Sequence, residues 1–317
     1  ATLPAASSCT ITVAVTAAAA GSYANTASGV ATTQTGSAGT GSNTATLAVA
    51  AAPSITKAFG TSPIAQGGTS VATFTLANAN TIALTNVRFT DALVNMSVAS
   101  TTIGGTCAGT TNTPALVVGA TALDLAVPTI AAGASCTVTV TLTSSVSGTQ
   151  PNTTSGVTST QTPVAGAPSN TANLVVLSPP QIQKNFVPGT IQSGGTTSIV
   201  FTLANPNGTA LANVQWSDTL ANMALASSPA PTVTRTCAGT VSSAGVSAGS
   251  VNFNLTLNTL AANETCTVTV SPVTSSTVSP TGGHPNTTST VTSTQTPAGG
   301  AAAPGFLNVV VSPLLTK

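Results

Sequence analysis

The sequence repeats itself, and this limits what the chain can fold into more than any other feature. Pro53-Ser54-Ile55-Thr56-Lys57-Ala58-Phe59 matches Pro180-Gln181-Ile182-Gln183-Lys184-Asn185-Phe186, and Pro313-Leu314-Leu315-Thr316-Lys317 starts the same motif again. The lysine spacings are 184 − 57 = 127 and 317 − 184 = 133. Further matches follow in the same order. Phe74-Thr75-Leu76-Ala77-Asn78 matches Phe201-Thr202-Leu203-Ala204-Asn205, and Phe89-Thr90-Asp91-Ala92-Leu93 matches Trp216-Ser217-Asp218-Thr219-Leu220. Thr106-Cys107-Ala108-Gly109-Thr110 matches Thr236-Cys237-Ala238-Gly239-Thr240. Cys136-Thr137-Val138-Thr139-Val140 matches Cys266-Thr267-Val268-Thr269-Val270, and Cys9-Thr10-Ile11-Thr12-Val13 carries the same signal. Self-similarity at a long period marks an array of structurally equivalent units. Residues 53–178 and 179–312 therefore read as complete repeats, 1–52 as the downstream part of an earlier one, and 313–317 as the first strand of a next one. The expectation is a window from a longer array.

Within a repeat the apolar period is two. Ala72, Phe74 and Leu76 alternate with Val71, Thr73, Thr75 and Ala77, and Val138, Val140 and Leu142 alternate with Thr137, Thr139, Thr141 and Thr143. Half-buried strands give this pattern. Turn clusters such as Gln66-Gly67-Gly68 and Ser193-Gly194-Gly195 separate the runs. About seven strands in roughly 130 residues indicates an antiparallel sandwich of immunoglobulin type. The predicted fold is all-β, with tandem Ig-like antiparallel β-sandwich repeats. The linkers Ala51-Ala52-Pro53 and Ser178-Pro179-Pro180 are short and stiffened by proline, which predicts a semi-rigid rod.

Composition excludes several functions. Of 317 residues, five are Lys or Arg and four Asp or Glu, 3% of the chain, against about 25% in an ordinary soluble domain. A nucleic-acid binder needs a basic footprint that this chain lacks. A calcium module needs several carboxylates per site, and zinc needs more ligands than a chain with one histidine offers outside its paired cysteines. No metal or cofactor is predicted. No run of about 18 apolar residues is present, so no membrane span is predicted in this segment.

The ordered motifs resemble a bacterial surface-protein repeat family of unknown function with an Ig-like fold: a first strand with Lys-x-Phe, a Thr-Leu-x-Asn strand, a Phe-Thr-Asp-x-Leu strand, a paired-cysteine segment and a final Asn-Thr hairpin. The pattern is also similar to the isopeptide-forming domains of bacterial fimbrial proteins. The resemblance covers nearly the whole chain and implies a secreted protein used in adhesion or fibre building.

Two constellations carry chemistry. The cysteines of each full repeat stand equally far apart, 136 − 107 = 29 and 266 − 237 = 29. Equal spacing in two copies predicts Cys107–Cys136 and Cys237–Cys266 disulfides and an oxidising compartment, the alternative being buried thiols. Cys9 holds the second position of its own pair. The second constellation is ionic. Every lysine falls at one repeat position: Lys57, Lys184 and Lys317. Asp91 and Asp218 also correspond, each 34 residues after its lysine, and Asn25, Asn152 and Asn286 recur before a threonine. Two readings fit. In one, a buried lysine loses its proton, a protonated Asp polarises the Asn amide, and an isopeptide bond forms as ammonia leaves. In the other, Lys and Asp form an ion pair beside a turn Asn. By the first reading Lys317 pairs with an Asn beyond residue 317, and Asn25 with a Lys before residue 1.

His284 follows Gly282-Gly283 and reads as a turn residue. No Gly-x-Ser-x-Gly elbow is present, so no enzyme is predicted. The expected function is a structural repeat segment of a bacterial extracellular filament or cell-surface rod, stapled by disulfides and by Lys–Asn isopeptide bonds. Its expected partners are other copies of itself or further repeats of the same chain. The alternative is an adhesin stalk or a binding module for a glycan or host protein.

Overall fold

The computed structural model describes residues 2–311. The residues expected to open a next repeat, 313–317 with Lys317, lie outside them. The described chain is all-β. An exposed hairpin comes first, β1 (Gly21–Asn25) and β2 (Ala45–Val49). The first full repeat follows with β3 (Ser54–Phe59), β4 (Ile64–Ala65), β5 (Thr69–Ala77), β6 (Leu84–Ala92), β7 (Ser97–Gly105), β8 (Thr111–Asn112), β9 (Ala122–Ile130), β10 (Ser135–Thr143), β11 (Gly148–Asn152) and β12 (Ala172–Leu177). The second contains β13 (Gln181–Val187), β14 (Thr190–Gln192), β15 (Thr196–Ala204), β16 (Leu211–Thr219), β17 (Ala224–Leu225), β18 (Thr232–Arg235), β19 (Val241–Ala244), β20 (Asn252–Leu260), β21 (Thr265–Thr274), β22 (His284–Asn286) and β23 (Gly305–Val310).

The alternation read from sequence becomes two faces. In the first repeat β3, β5, β10 and β7 form one sheet in that order, and β6, β9 and β8 another. Phe74, Leu76, Val138, Val140 and Leu142 of the first sheet and Val87, Phe89, Leu123, Leu125 and Val127 of the second are buried in one core. Phe74 and Phe89 meet there, ring centroids 5.2 Å apart. The threonines between them face outward because successive strand residues point to opposite sides. The second repeat copies this plan: β15 and β21 pair in one sheet, β16 and β20 in another. Phe201 packs between Trp216, at 5.6 Å, and Phe253, at 6.2 Å.

One expectation needs correcting, because the pairing is not antiparallel throughout. The last long strand of each repeat runs parallel to a short early one, β12 to β4 with Val176 opposite Ile64, and β23 to β14 with Val309 opposite Ile191. The closing strand thereby covers an edge that would otherwise expose unpaired backbone groups. Asn78 and Asn205 hold the next bend. Asn78 Nδ2 donates to the carbonyls of Ile82, Ile130 and Ala131, and Asn205 Nδ2 to those of Thr209, Leu260 and Ala261. These bonds satisfy buried carbonyls where the ladder ends.

Candidate cross-linking site

Inward strand positions are mostly apolar in this chain, and in each repeat one of the exceptions is a lysine. On β3, Ile55 and Lys57 both point inward, and Lys57 is buried. Its register partner on β5 is Phe74, and its Nζ lies 4.9 Å from the Phe74 ring centroid and 5.4 Å from that of Phe59. The backbone beneath it is fixed by Asn170: the Lys57 N–H donates to Asn170 Oδ1 at 2.9 Å, and Asn170 Nδ2 donates to the Lys57 carbonyl at 3.0 Å.

Asp91, near the end of β6, and Asn152, at the end of β11, come to the same point. Lys57 Nζ donates to Asp91 Oδ2, both side chains being fully inaccessible. Asn152 Nδ2 donates to Asp91 Oδ1 at 2.9 Å and to the Ala92 carbonyl at 2.8 Å. The second repeat brings together Lys184, Asp218 and Asn286. Lys184 Nζ donates to Asp218 Oδ2, and Asn286 Nδ2 donates to the Thr219 carbonyl at 2.6 Å. In both repeats the Asn Oδ1 is buried without a hydrogen-bond partner. A buried carbonyl oxygen without a donor is costly, and Asp91, whose two oxygens accept from Lys57 Nζ and Asn152 Nδ2, does not supply one; in the second repeat Asp218 Oδ1 is also without a partner.

Electrostatics push the groups toward neutrality. Burial lowers the pKa of Lys57 and Lys184, and the neighbouring aspartate opposes this. Burial raises the pKa of Asp91 and Asp218, and the lysine opposes this. Removing charge from water disfavours both charged forms, so a neutral amine beside a neutral acid becomes accessible. A neutral amine is a nucleophile and a carboxamide carbon an acyl donor. With Asp91 Oδ1 at the Asn152 nitrogen, the acid stands where it can protonate the departing group. The arrangement thus holds the parts for one reaction: a bond forms between Lys Nζ and Asn Cγ, the Cγ–Nδ2 bond breaks, and ammonia leaves.

The other predicted residues fall as follows. Cys107 is bonded to Cys136 and Cys237 to Cys266, the first bridge joining the segment after β7 to β10 and the second the segment after β18 to β21. Cys9 is free and exposed. Asn25 lies on β1, exposed, with no lysine or aspartate beside it among the described residues. No group of metal-ligating side chains occurs among the described residues, and no helix is long and apolar enough to cross a membrane. His284 is not a turn residue. It opens β22, buried, its Nε2 2.8 Å from the Thr277 carbonyl and its Nδ1 3.5 Å from Asn222 Nδ2. Gln150 does the same work on β11, bonding the Val146 carbonyl and Asn95. Two contributors were missed in the sequence: Asn170, whose signal was its repetition as Asn43, and Asn78 with Asn205, which stood in the repeated Thr-Leu-Ala-Asn motif without a role.

A family profile described as "Domain of unknown function (DUF7933)" matches residues 53–176 and again 180–309. No curated protein sequence matches the chain. Among solved structures, the C-terminal domain of the AgI/II polypeptide BspA of Streptococcus agalactiae aligns at 10% identity and a TM-score of 0.48, over 80% of this chain and 99% of that one. The type II cohesin dyad of the adaptor scaffoldin ScaA of Acetivibrio cellulolyticus aligns at 10% identity and 0.29, over 81% and 97%. Likenesses this distant carry no functional argument.

Proposed function

The chain belongs to the DUF7933 family of domains of unknown function, and from that membership and the site above we propose that it is a load-bearing repeat segment of a bacterial extracellular filament or cell-surface rod. Each repeat is an Ig-like β-sandwich stapled twice, by its disulfide and by an isopeptide bond: Lys57–Asn152 beside Asp91 in the first, Lys184–Asn286 beside Asp218 in the second. The observation that carries this reading is the recurrence of one buried triad in two repeats of a chain that otherwise nearly abolishes charge. A buried ion pair gains little net stability, because desolvation offsets the attraction. A covalent bond removes both charges and ties the first strand of a repeat to a late one. Tension along a rod would otherwise peel those strands apart.

Two further features support a surface role. Disulfides persist in oxidising compartments, and both repeats carry one. A nearly uncharged surface offers little repulsion to side-by-side packing, which suits further repeats or further copies as partners. Negative-stain imaging of native material tests the reading. Filaments or rods with a regular axial repeat are expected, and isolated globular particles would contradict it.

A further inference from the structure

Each full repeat grips the end of the unit before it, and both grips are built alike. An Asn-x-Asn loop follows β5 as Asn78-Ala79-Asn80 and β15 as Asn205-Pro206-Asn207. The second asparagine of each loop reaches a linker residue the same distance upstream, 80 − 51 = 29 and 207 − 178 = 29. The Ala51 N–H donates to Asn80 Oδ1 at 2.7 Å, and Asn80 Nδ2 donates to the Ala51 carbonyl at 2.9 Å. The Ser178 N–H donates to Asn207 Oδ1 at 2.8 Å, and Asn207 Nδ2 donates to the Ser178 carbonyl at 2.8 Å. One side-chain amide thus takes both backbone groups of a linker residue, as a paired strand residue would.

The gripping amides are themselves held. The Asn80 N–H and Nδ2 donate to Asn78 Oδ1 at 3.0 and 2.8 Å, and those of Asn207 to Asn205 Oδ1 at 3.0 and 2.8 Å. The Asn80 carbonyl accepts from the Gly133 N–H at 3.0 Å and the Asn207 carbonyl from the Asn263 N–H at 2.9 Å. Asn78, Asn205 and Asn207 are buried, so an amide that swung away would leave polar groups unsatisfied. Apolar contact crosses the same seam. Leu177, the last residue of β12, is buried in the core of the second repeat, and Val175 packs against that core. Ala50 occupies the position of Leu177 one repeat earlier and packs against the core of the first repeat. The prolines that follow, Pro53 and Pro179-Pro180, fix φ in the rest of each linker.

We propose that the Asn-x-Asn loop is a joint lock. It sets the pose of each repeat on the unit before it, so that successive repeats advance by one fixed rotation. Relative motion is the default for domains joined by a short linker and a small interface, and the lock removes it. Ala51 and Ser178 are held through their backbone groups, so the lock needs no particular side chain on the linker. The lock also needs neither the isopeptide bonds nor a filament, because every group in it belongs to the loop, the linker and the two adjoining cores.

Residual dipolar couplings of the full chain in a weakly aligning medium test the lock, because they show whether two repeats tumble as one body. In the unaltered protein the amide couplings of residues 53–176 and 180–309 are expected to fit one alignment tensor. Asn207→Ala opens the grip on Ser178 but leaves the three carbonyl bonds of Asn205 in place. The two repeats then require tensors of different magnitude. The Ser178 N–H also exchanges with solvent about tenfold faster, as the loss of one hydrogen bond implies, while amides of β5 and β10 keep their rates. Ser178→Ala retains the gripped backbone and retains one tensor. Asn80→Ala opens only the other joint, so residues 53–176 and 180–309 still share a tensor. Ser178→Pro deletes the gripped N–H from outside the second repeat and splits the tensor even if Asn207→Ala perturbs folding. Two tensors in the unaltered protein, one tensor in both Asn207→Ala and Ser178→Pro, or a split caused by Asn80→Ala overturns the proposal.

Discussion

Stretching one molecule between its ends reads out whether Lys57 is joined to Asn152, because a cross-link withholds the chain that it encloses. About 95 residues separate the two positions, and an extended chain spans about 3.3–3.6 Å per residue, so the bond withholds about 310–340 Å of contour length in the first repeat. A Lys184–Asn286 bond would enclose about 102 residues and withhold about 340–370 Å more. Reduction sharpens the test. Cys107–Cys136 lies inside the span from Lys57 to Asn152 and has a sequence separation of 29. With the isopeptide bond in place, reducing the disulfide leaves the stretched length unchanged. Without it, reduction releases about 100 Å more per repeat. Force spectroscopy of the chain between two marker domains, with and without dithiothreitol, gives both lengths. A contour length that grows by about 100 Å per repeat on reduction would refute the reasoning.

Two further outcomes follow from the same structure. Replacing both Cys107 and Cys136 by alanine on an Asn152→Ala background should destabilise the first repeat by about 3.6 kcal/mol, the loop-closure value for a separation of 29, measured by guanidinium unfolding. The Asn152→Ala variant should also show a stability trough near neutral pH. The folded pKa of Asp91 is raised above 3.8 by burial, so its contribution falls as pH rises from that value; that of Lys57 is lowered below 10.5, so its contribution recovers as pH climbs toward 10.5. The bonded protein lacks the alkaline recovery because no amine remains, and unfolding midpoints at pH 4, 7 and 10 distinguish the two.

Much of this was legible in the sequence because the chain has so little charge. Lysine and aspartate at matched positions stood out against threonine and alanine, and the shared spacing of 34 linked Lys57 to Asp91 and Lys184 to Asp218 before any geometry was known. Alternation gave the inward faces of β5 and β10, since burial on one side of a strand leaves a period of two. The short parallel pairs of β4 with β12 and β14 with β23 were not legible. Two or three residues leave no periodicity, and their pairing depends on where a distant strand returns. His284 misled because Gly282-Gly283 marks a turn that ends one residue earlier. Its counterpart Gln150 shares the role but not the residue type, so repetition gave no signal. Asn78 and Asn205 were visible as repeats, but their purpose depends on carbonyls about 50 residues away, at Ile130 and Leu260.

The intact mass of the reduced protein tests the central claim most directly. Each Lys–Asn bond releases one ammonia, about 17 Da, so two bonds place the protein about 34 Da below the mass of its unmodified sequence. The Asp91→Ala variant should keep the ammonia of its first repeat and fall only about 17 Da short of its own sequence mass. A reduced protein at its full sequence mass would contradict the account and leave two buried ion pairs in place of two covalent staples.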